Sequence, residues 1–369
     1  MAEFTDAVAA GRDYSAIPNL WVKKRGPGGG LPGSREITRN FVRPLIKDLD
    51  ALPFADRDLY MGYKYFHNKP FEGFLAGRGC PYDCTFCFNH QFRELYGGAR
   101  DRRRTARNVV DEIKAVHGSK PIRIVWFMDS TFNLNREWFL SFCDLFARES
   151  DLGMTCNVRL HLLDDDMARA MAKARCRSAR FAIESGNEGL RNRVLKKVLK
   201  DEDILAGVEL FRKHGVPFAT ANMMGMPDET LAMAWETILI NRRIQPMFVD
   251  MGLFTPYPNL EITEYAKRQG CLTDAGIEEM AHGRKKMLSS VLKQPEIKEV
   301  CNLHKFFYLL VRHPWLDPIA RKLVRLPENR FFDMIFGASY IVENCRRTDV
   351  PYSYGRMLLN AMKNFAQIS

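Results

Sequence analysis

The sequence has no run of about 18 uncharged apolar residues, the length that a membrane-crossing helix needs. Its first twenty residues, MAEFTDAVAAGRDYSAIPNL, lack the long apolar stretch of a secretory signal. Internal repeats and long low-complexity tracts are absent too, which disfavours a repeat protein or a disordered chain. Without an export signal, the nine cysteines are expected to be reduced thiols of a cytoplasmic protein and not a disulfide framework.

Acidic residues are too few to balance the basic ones. The sequence has 44 Asp and Glu against 55 Lys and Arg, which gives a formal net charge of +11. Such a balance favours anionic partners: nucleic acid, an anionic membrane surface, an acidic protein or a phosphate-bearing substrate. The basic run Arg102–Arg104 has no interleaved aromatic residue, so nucleic-acid binding is not supported. We interpret the run as a solvated basic face, with contact to an anionic group or an electron donor as the alternative.

The middle of the chain alternates short apolar, β-rich runs with amphipathic segments of helical period. The six runs are GFLAG (73–77), IRIVWFM (122–128), GMTCNVR (153–159), SARFAIE (178–184), VPFATANMM (216–224) and FVDMGLF (248–254). Strands that alternate with helices pair in parallel through right-handed crossovers, which predicts an α/β fold, either doubly wound or barrel-like. Functional groups then gather at the carboxyl ends of the strands. Thr105 is a predicted helix cap, and Gly118 and Gly215 are predicted helix stops.

Three regions are predicted: an N-terminal extension and linker over 1–70, an α/β core over 71–270 and a helical region over 271–369. GPGGGLPGS (26–34) is typical of a flexible turn between two short extended pieces, LWVKK and REITR. In the last region, basic and apolar residues mix over 313–342. We interpret these residues as a helical cap packed on the core, and peripheral contact with a membrane or a partner is the alternative.

Three cysteines lie within eight residues of GRGCPYDCTFCFNH, and their spacing is C-x3-C-x2-C. Soft thiolates select zinc, copper(I) or an iron–sulfur cluster. A zinc site needs a fourth ligand, for which His90 is the nearby candidate, and a ferredoxin-type cluster needs four cysteines. Three ligands suit a 4Fe-4S cluster with one open iron, although zinc and coincidence stay open on spacing alone. The six other cysteines are interpreted as small buried apolar side chains: Cys143, Cys156, Cys176, Cys271, Cys301 and Cys345.

The segment CPYDCTFC resembles the signature of the radical S-adenosylmethionine (radical SAM) superfamily, and the resemblance extends over roughly residues 45–270. It implies a partial (β/α)6, TIM-like barrel with a helical C-terminal extension. Cys80, Cys84 and Cys87 would hold a 4Fe-4S cluster, and Phe86 is the aromatic residue of the signature. S-adenosylmethionine (SAM) would bind the open iron and be cleaved by an electron to a 5′-deoxyadenosyl radical, which takes a hydrogen from a small-molecule substrate. His90 would then be a loop residue.

The same resemblance assigns other cofactor-binding residues at strand ends. Asp129 and Ser130 would receive the methionine amino group of SAM, although Asp129 is equally suited to cap the next helix. Arg159 would hold the SAM carboxylate or an anionic substrate, with a surface salt bridge as the alternative. Glu184 and Ser185 would face the ribose hydroxyls.

The fifth strand leads into NMMGMPDET, which resembles the glycine–proline turn of the same family. Gly225 would contact the adenine of SAM. Pro227 would shape the turn, and Asp228 or Glu229 would open the helix that follows.

The N-terminal region resembles the tail and linker of cobalamin-binding radical SAM proteins, which include methyltransferases and enzymes of natural-product and lipid pathways. Only 79 residues precede Cys80 and no Asp-x-His-x-x-Gly loop occurs, so cobalamin binding by this chain alone is not expected; the cobalamin domain is missing or lost. A flavodoxin or ferredoxin is the expected reductant. Methylthiotransfer would need three more cysteines before Cys80, and a non-catalytic iron–sulfur or zinc protein is the alternative from another class.

Overall fold

The computed structural model of the protein describes residues 2–23, 37–67, 69–98, 101–281 and 288–347, with 355, 357–359 and 362–363. The strands are β1 (Trp21–Lys23), β2 (Ile37–Arg39), β3 (Phe71–Phe74), β4 (Gly77–Gly79), β5 (Asp101–Arg103), β6 (Ile124–Phe127), β7 (Gly153–Asn157), β8 (Cys176–Glu184), β9 (Phe218–Met224) and β10 (Phe248–Leu253). The helices are α1 (Ala2–Ala9), α2 (Asp58–Met61), α3 (Lys64–His67), α4 (Asn89–Leu95), α5 (Ala106–Ser119), α6 (Arg136–Glu149), α7 (Asp165–Lys173), α8 (Glu188–Arg193), α9 (Asp201–His214), α10 (Leu231–Ile244), α11 (Glu261–Arg268), α12 (Asp274–Ala281), α13 (Ile297–Arg312), α14 (Asp317–Leu323) and α15 (Arg330–Asn344).

Six strands form one parallel sheet in the order β10-β9-β8-β7-β6-β3. Sheet neighbours are therefore also consecutive core strands along the chain, and helices connect them. A doubly wound sheet reverses its strand order at one point, whereas a barrel winds in a single direction. The strand order thus selects the barrel from the two predicted architectures, and the prediction of a partial, TIM-like (β/α)6 barrel is confirmed.

The six predicted apolar runs coincide with β3 and with β6 to β10, but the first run is placed too late. Strand β3 ends at Phe74, and Gly77 instead begins β4, which pairs antiparallel with β5. A Cβ atom at Gly77 would lie 3.3 Å from Asp129 Oδ1 and 3.2 Å from the Arg102 carbonyl oxygen. The glycine therefore permits the close approach that turns the chain from β3 toward the cysteines.

The interpretation of Arg102–Arg104 as a solvated basic face is wrong, because all three side chains are partly buried and have partners within the protein. Arg103 donates to the Phe132 and Thr131 carbonyls, and Arg104 forms an ion pair with Glu112 of α5. Arg102 donates to the Ile46 carbonyl. Basic residues in a run give no sign in the sequence of which carbonyls they will meet in the fold.

Short sequence signals predict the ends of the core helices to within one residue. Thr105 Oγ1 accepts the Asn108 N–H at 3.2 Å and caps α5, and Gly215 ends α9 with a φ of +65°. Helix α5 passes through Gly118 and ends one residue later, at Ser119, so this predicted stop is wrong by one position. The helices α5, α6, α7 and α9 bury their apolar faces against the sheet, as Val109, Phe142, Met167 and Ile204 show.

The C-terminal helices cover the β10 edge of the sheet. Val300 and Leu303 of α13 pack in one apolar cluster with residues of β9, β10 and α10. Glu343 of α15 accepts the Val249 N–H of β10 at 3.0 Å. An exposed strand edge invites pairing with another chain, and this contact occupies one of its donors. The prediction of a helical cap packed on the core is confirmed for the described residues.

The scattered cysteines are buried, except Cys345, which is half-buried. All nine cysteines lie in the described part of the chain, and none forms a disulfide. In the same part, no helix combines the length and the apolar character needed to cross a membrane. β1 and β2 pair antiparallel, as the two extended pieces predict, while the glycine-rich turn between them lies outside the described residues.

Candidate functional site

A cavity of about 420 Å³ opens at the carboxyl ends of the parallel strands. Its wall includes the three clustered cysteines together with side chains from β6, β7, β8 and β9 and from the segments that follow them. The lining residues are Cys80, Cys84, Phe86, Cys87, Asn89, Trp126, Met128, Ser130, Thr131, Asn157, Val158, Arg159, Arg180, Phe181, Ala182, Glu184, Lys197 and Ala221.

The loop that carries the cysteines is anchored at two points. Thr85 donates through its N–H to the Leu195 carbonyl at 3.1 Å and through Oγ1 to the Val194 carbonyl at 2.8 Å. Arg93 of α4 donates to the carbonyls of Cys80 and Tyr82, at 3.0 Å each, and forms an ion pair with Asp83. These bonds fix the loop backbone while leaving all three thiols at the cavity wall.

Each thiol has a polar neighbour. Cys80 Sγ lies 3.8 Å from Thr131 Oγ1, Asn89 Nδ2 lies 3.4 Å from Cys87 Sγ, and an Arg159 nitrogen lies 3.9 Å from Cys84 Sγ. Such neighbours orient a cysteine sulfur that binds a metal. Burial raises the pKa of the Cys87 thiol, against the opposing effect of its hydrogen bonds with Asn89. Within the described residues no three His, Cys, Asp or Glu side chains are grouped around a single ion position. Three soft sulfur donors at one cavity wall are the ligand type that an iron–sulfur cluster takes.

Arg159 lies in the cavity wall and not in a surface salt bridge, so that alternative is wrong. Its guanidinium is 3.5 Å from the centre of the Tyr82 ring and donates to the Lys197 carbonyl. Tyr82 is held in turn by a 2.8 Å hydrogen bond between its hydroxyl and Nε2 of His161. A stacked arginine loses fewer rotamers when it binds an anion, because its plane is already fixed.

Glu184 and Ser185 lie together in sequence but differ in exposure to the cavity. Glu184 ends β8 at a register shift, adopts a φ of +67° and pairs with Lys197 at 3.0 Å. A left-handed backbone at a non-glycine residue is costly and often marks a functional position. Ser185 is fully buried, and its Oγ accepts the Asn187 N–H at 3.2 Å. Glu184 therefore lines the cavity, whereas Ser185 supports the turn behind it.

Asp129 and Ser130 likewise differ in their exposure to the cavity. Asp129 is buried, and its two carboxylate oxygens accept the N–H groups of Ala76 and Gly77 at 3.0 and 2.6 Å. Burial raises its pKa to about 6, against the opposing effect of those hydrogen bonds. The alternative that Asp129 caps the next helix is wrong, because Asn135 caps α6. Ser130 is exposed at the cavity and accepts a hydrogen bond from Asn89 at 3.2 Å.

The turn after β9 differs from the predicted one. Neither Asp228 nor Glu229 opens the next helix, because Thr230 caps α10. Glu229 is buried, and its Oε2 accepts the backbone N–H groups of Gly225 and Met226. Gly225 has a φ of +76° and lies outside the cavity wall, against Ile297 and Leu253. Burial raises the pKa of Glu229 to about 8, and its Oε1 has no hydrogen-bond partner.

Glu229→Gln is expected to change how the stability of the protein depends on pH. An acid with a raised pKa is protonated more in the folded than in the unfolded chain, so folding loses stability as pH rises from 4.5 toward about 8. Glutamine keeps an acceptor for the turn and does not titrate. Thermal unfolding should therefore show the melting temperature of the wild type falling, relative to the variant, across this range. A constant difference between the two proteins would contradict the assignment.

His90 is helical and not a loop residue, which corrects that prediction. It lies in the first turn of α4, half-buried and away from the cavity wall. Several other lining residues were missed in the sequence, among them Trp126, Arg180 and Lys197. The Arg180 guanidinium lies 5.6 Å from the centre of the Trp126 ring, across the sheet. An arginine among the apolar residues of a predicted strand is a sequence signal that could have identified Arg180. Lys197 lies in a loop, where no comparable signal marks it.

Comparison with known proteins agrees with the fold. Residues 74–239 match the model of the Radical SAM superfamily. An uncharacterized methyltransferase of Pyrococcus horikoshii is 28% identical over 266 residues, which cover 72% of this chain and 55% of the relative. The chain spans about half the length of the curated relatives it matches.

Solved structures share the fold. TsrM of Kitasatospora setae, a radical S-adenosylmethionine methyltransferase with cobalamin and a 4Fe-4S cluster bound, is 20% identical, with a TM-score of 0.54. That alignment covers 73% of this chain and 52% of TsrM. OxsB, a cobalamin-dependent S-adenosylmethionine radical enzyme, is 13% identical, with a TM-score of 0.60, and the alignment covers 100% of this chain and 61% of OxsB.

Proposed function

We propose, on the premise that residues 74–239 form a radical SAM domain, that this chain is a radical SAM enzyme. Its ligands for a 4Fe-4S cluster would be Cys80, Cys84 and Cys87. When bound, such a cluster supplies the electron that cleaves SAM to a 5′-deoxyadenosyl radical, which removes hydrogen from a substrate. The observation that carries the proposal is that all three thiols line one cavity with Arg159 and Glu184, at the carboxyl ends of a barrel.

Different residues of the cavity wall would bind SAM and exclude water from it. Arg159, already stacked on Tyr82, offers a cation to the SAM carboxylate, and the Glu184 carboxylate offers an acceptor to the ribose hydroxyls. Ser130 Oγ is the exposed polar group for the SAM amine, with Asp129 fixing the backbone beneath it. Trp126 and Phe181 supply apolar wall that limits water near the reacting atoms.

The charge of the cavity favours an anionic small-molecule substrate. Three cationic side chains line it, Arg159, Arg180 and Lys197, against the single carboxylate of Glu184. Lys197 pairs with Glu184 at 3.0 Å, and Arg159 is the cation proposed for the SAM carboxylate. We place the reaction in the cytoplasm, where thiols stay reduced and a flavodoxin or ferredoxin can supply electrons.

Methyl transfer is the reaction class that the relatives favour, because the Pyrococcus relative and TsrM are named as methyltransferases. The TsrM structure has cobalamin bound, and OxsB is described as cobalamin-dependent. The described residues before β3 form α1, the β1–β2 ribbon and two short helices, and these supply no parallel sheet that could hold a cobalamin.

Arg159→Leu is expected to weaken SAM binding by roughly 10- to 100-fold, the value of a charge-assisted hydrogen bond to a carboxylate. Equilibrium dialysis of SAM against the anaerobically reconstituted protein measures this affinity. Arg148→Leu is the matched control, because that arginine is exposed on α6 in an ion pair with Asp144. If the Arg159 variant bound SAM with unchanged affinity, Arg159 would not be a SAM-binding residue and would be assigned to substrate binding.

Anaerobic reconstitution tests the proposal as a whole. The protein should bind about four irons per chain and, with dithionite and SAM, form 5′-deoxyadenosine. Zinc retained in place of iron, with no nucleoside product, would favour the non-catalytic alternative. The reconstitution must be anaerobic, because oxygen destroys an open iron–sulfur cluster and the iron content would then be too low.

A further inference from the structure

Helix α15 carries apolar side chains on two faces. One face, with Phe332 and Phe336, is buried against α13 and β10. The other exposes Phe331, Met334, Ala338 and Val342, which follow one another at helical spacing. Phe331 is 64% exposed and Met334 is 69% exposed. A helix that only caps the barrel needs one apolar face, so the second face calls for another partner.

Further apolar side chains are exposed elsewhere in the C-terminal region. Ala338 and Val342 also line a groove of about 520 Å³ between α13 and α15, whose rim includes His313 and Arg346. Before α14, Trp315 is 71% exposed, and Ile319, four residues further, is 53% exposed. We call these exposed residues of 315–342, with the groove, the α14–α15 face.

The charged residues around this face are almost all cationic. Between 313 and 347 the exposed cations are Arg321, Lys322, Arg325, Arg330 and Arg346, whereas Glu328 is the exposed carboxylate. The remaining acids are occupied: Asp317 pairs with Arg242, Asp333 with Lys305 and Glu343 with Arg312. Arg346 also lies 3.9 Å from Glu343, which already pairs with Arg312. The face therefore carries an excess of exposed cations among its apolar and aromatic side chains.

We propose that the α14–α15 face docks on a lipid bilayer that contains anionic headgroups. Interfacial helices combine a buried apolar face with Trp or Phe and with flanking Lys and Arg, and each cation adds attraction to anionic lipid. The excess of exposed cations over exposed carboxylates complements anionic headgroups, and this is the observation that selects the occupant. Arginine, methionine and aromatic side chains are also common in protein interfaces, so a protein partner is an outcome that the test distinguishes. This inference is independent of the proposed chemistry, because none of these residues lines the cavity of the cysteines.

Vesicle flotation with the reconstituted full chain tests the inference. The wild type should float with vesicles of phosphatidylcholine and phosphatidylglycerol, bind phosphatidylcholine alone at least about tenfold more weakly, and lose binding as salt rises. Phe331→Glu with Met334→Glu should lower the partition coefficient about tenfold or more. Val8→Glu with Leu59→Glu is the matched control, since it adds the same charge at apolar residues that are 52% and 78% exposed elsewhere.

A second variant distinguishes a loss of vesicle binding from misfolding of the first variant. Arg325→Glu with Arg330→Glu alters only exposed charges, and each removed cation should cost roughly fivefold in binding to the anionic vesicles. Absence of flotation by the wild type, or equal binding by all three variants, would overturn the inference. Sedimentation showing that the wild type self-associates through this face, and that the Phe331 and Met334 variant does not, would also overturn it and assign the face to a second copy of the chain.

Discussion

Cys80→Ala is expected to abolish 5′-deoxyadenosine formation. It should also lower the bound iron from about four atoms per chain to a small remaining amount. Cys80 is buried beside Thr131 at the start of the anchored loop, and alanine has no donor atom to take the place of its sulfur. With two thiols left, a cluster would lose an iron ligand, and the geometry that presents SAM to it would be lost with it. Iron analysis and chromatography of the nucleoside product measure both effects on one sample.

Cys345→Ala is the matched control for this loss. Cys345 is a half-buried free thiol beyond the end of α15, outside the cavity wall. Its replacement should leave the iron content and the nucleoside yield within about twofold of the wild type, because surface substitutions rarely disturb a distant site. If Cys80→Ala still bound a full complement of iron and formed the nucleoside, the cysteine loop would not be the cluster site.

Gly186→Ala is expected to destabilise the protein by about 3 kcal/mol or more. A Cβ atom there would lie 2.3 Å from the carbonyl carbon and oxygen of Glu236 and from the Thr237 nitrogen, all backbone atoms of α10. No side-chain rotation can relieve such an overlap, so the turn after β8 must move. Because Glu184 ends that strand, the variant should also weaken SAM binding. Urea unfolding followed by circular dichroism measures the free energy of unfolding.

Gly118→Ala makes the matching control, because the same substitution meets nothing within 4 Å at that position of α5. Alanine should be neutral there or stabilising by about 0.5–1 kcal/mol, since glycine in a helix costs backbone entropy. Equal effects of the two substitutions would contradict the close packing of the β8 turn against α10.

The fold was predictable because its signals are local and repeated. Apolar runs, the Thr105 cap and the Gly215 stop are each written in a few adjacent residues, and they agree on one architecture. The cysteine loop was predictable for the same reason, since its spacing is a property of eight residues. The errors at element ends, three residues at Gly77 and one at Gly118, arise because the last residues of an element carry weaker signals than its middle.

The rest of the site depends on contacts between residues far apart in the chain. Arg159 is placed by Tyr82 and Lys197, and Lys197 by Glu184, and no sequence pattern links these positions. Asp129 and Ser185 follow apolar strands, as site residues do, yet their polar atoms bind nearby backbone. A polar residue at a strand end therefore predicts the edge of the site but not which groups face the cavity.

Electron paramagnetic resonance of the dithionite-reduced protein, recorded with and without SAM, tests the central claim most directly. The account predicts the signal of a reduced 4Fe-4S cluster whose g values change when SAM is added, because SAM occupies the iron that the three cysteines leave open. The change should persist in the Cys345→Ala protein. A spectrum that SAM leaves unaltered, or the absence of a reduced-cluster signal in the iron-loaded protein, would contradict the account.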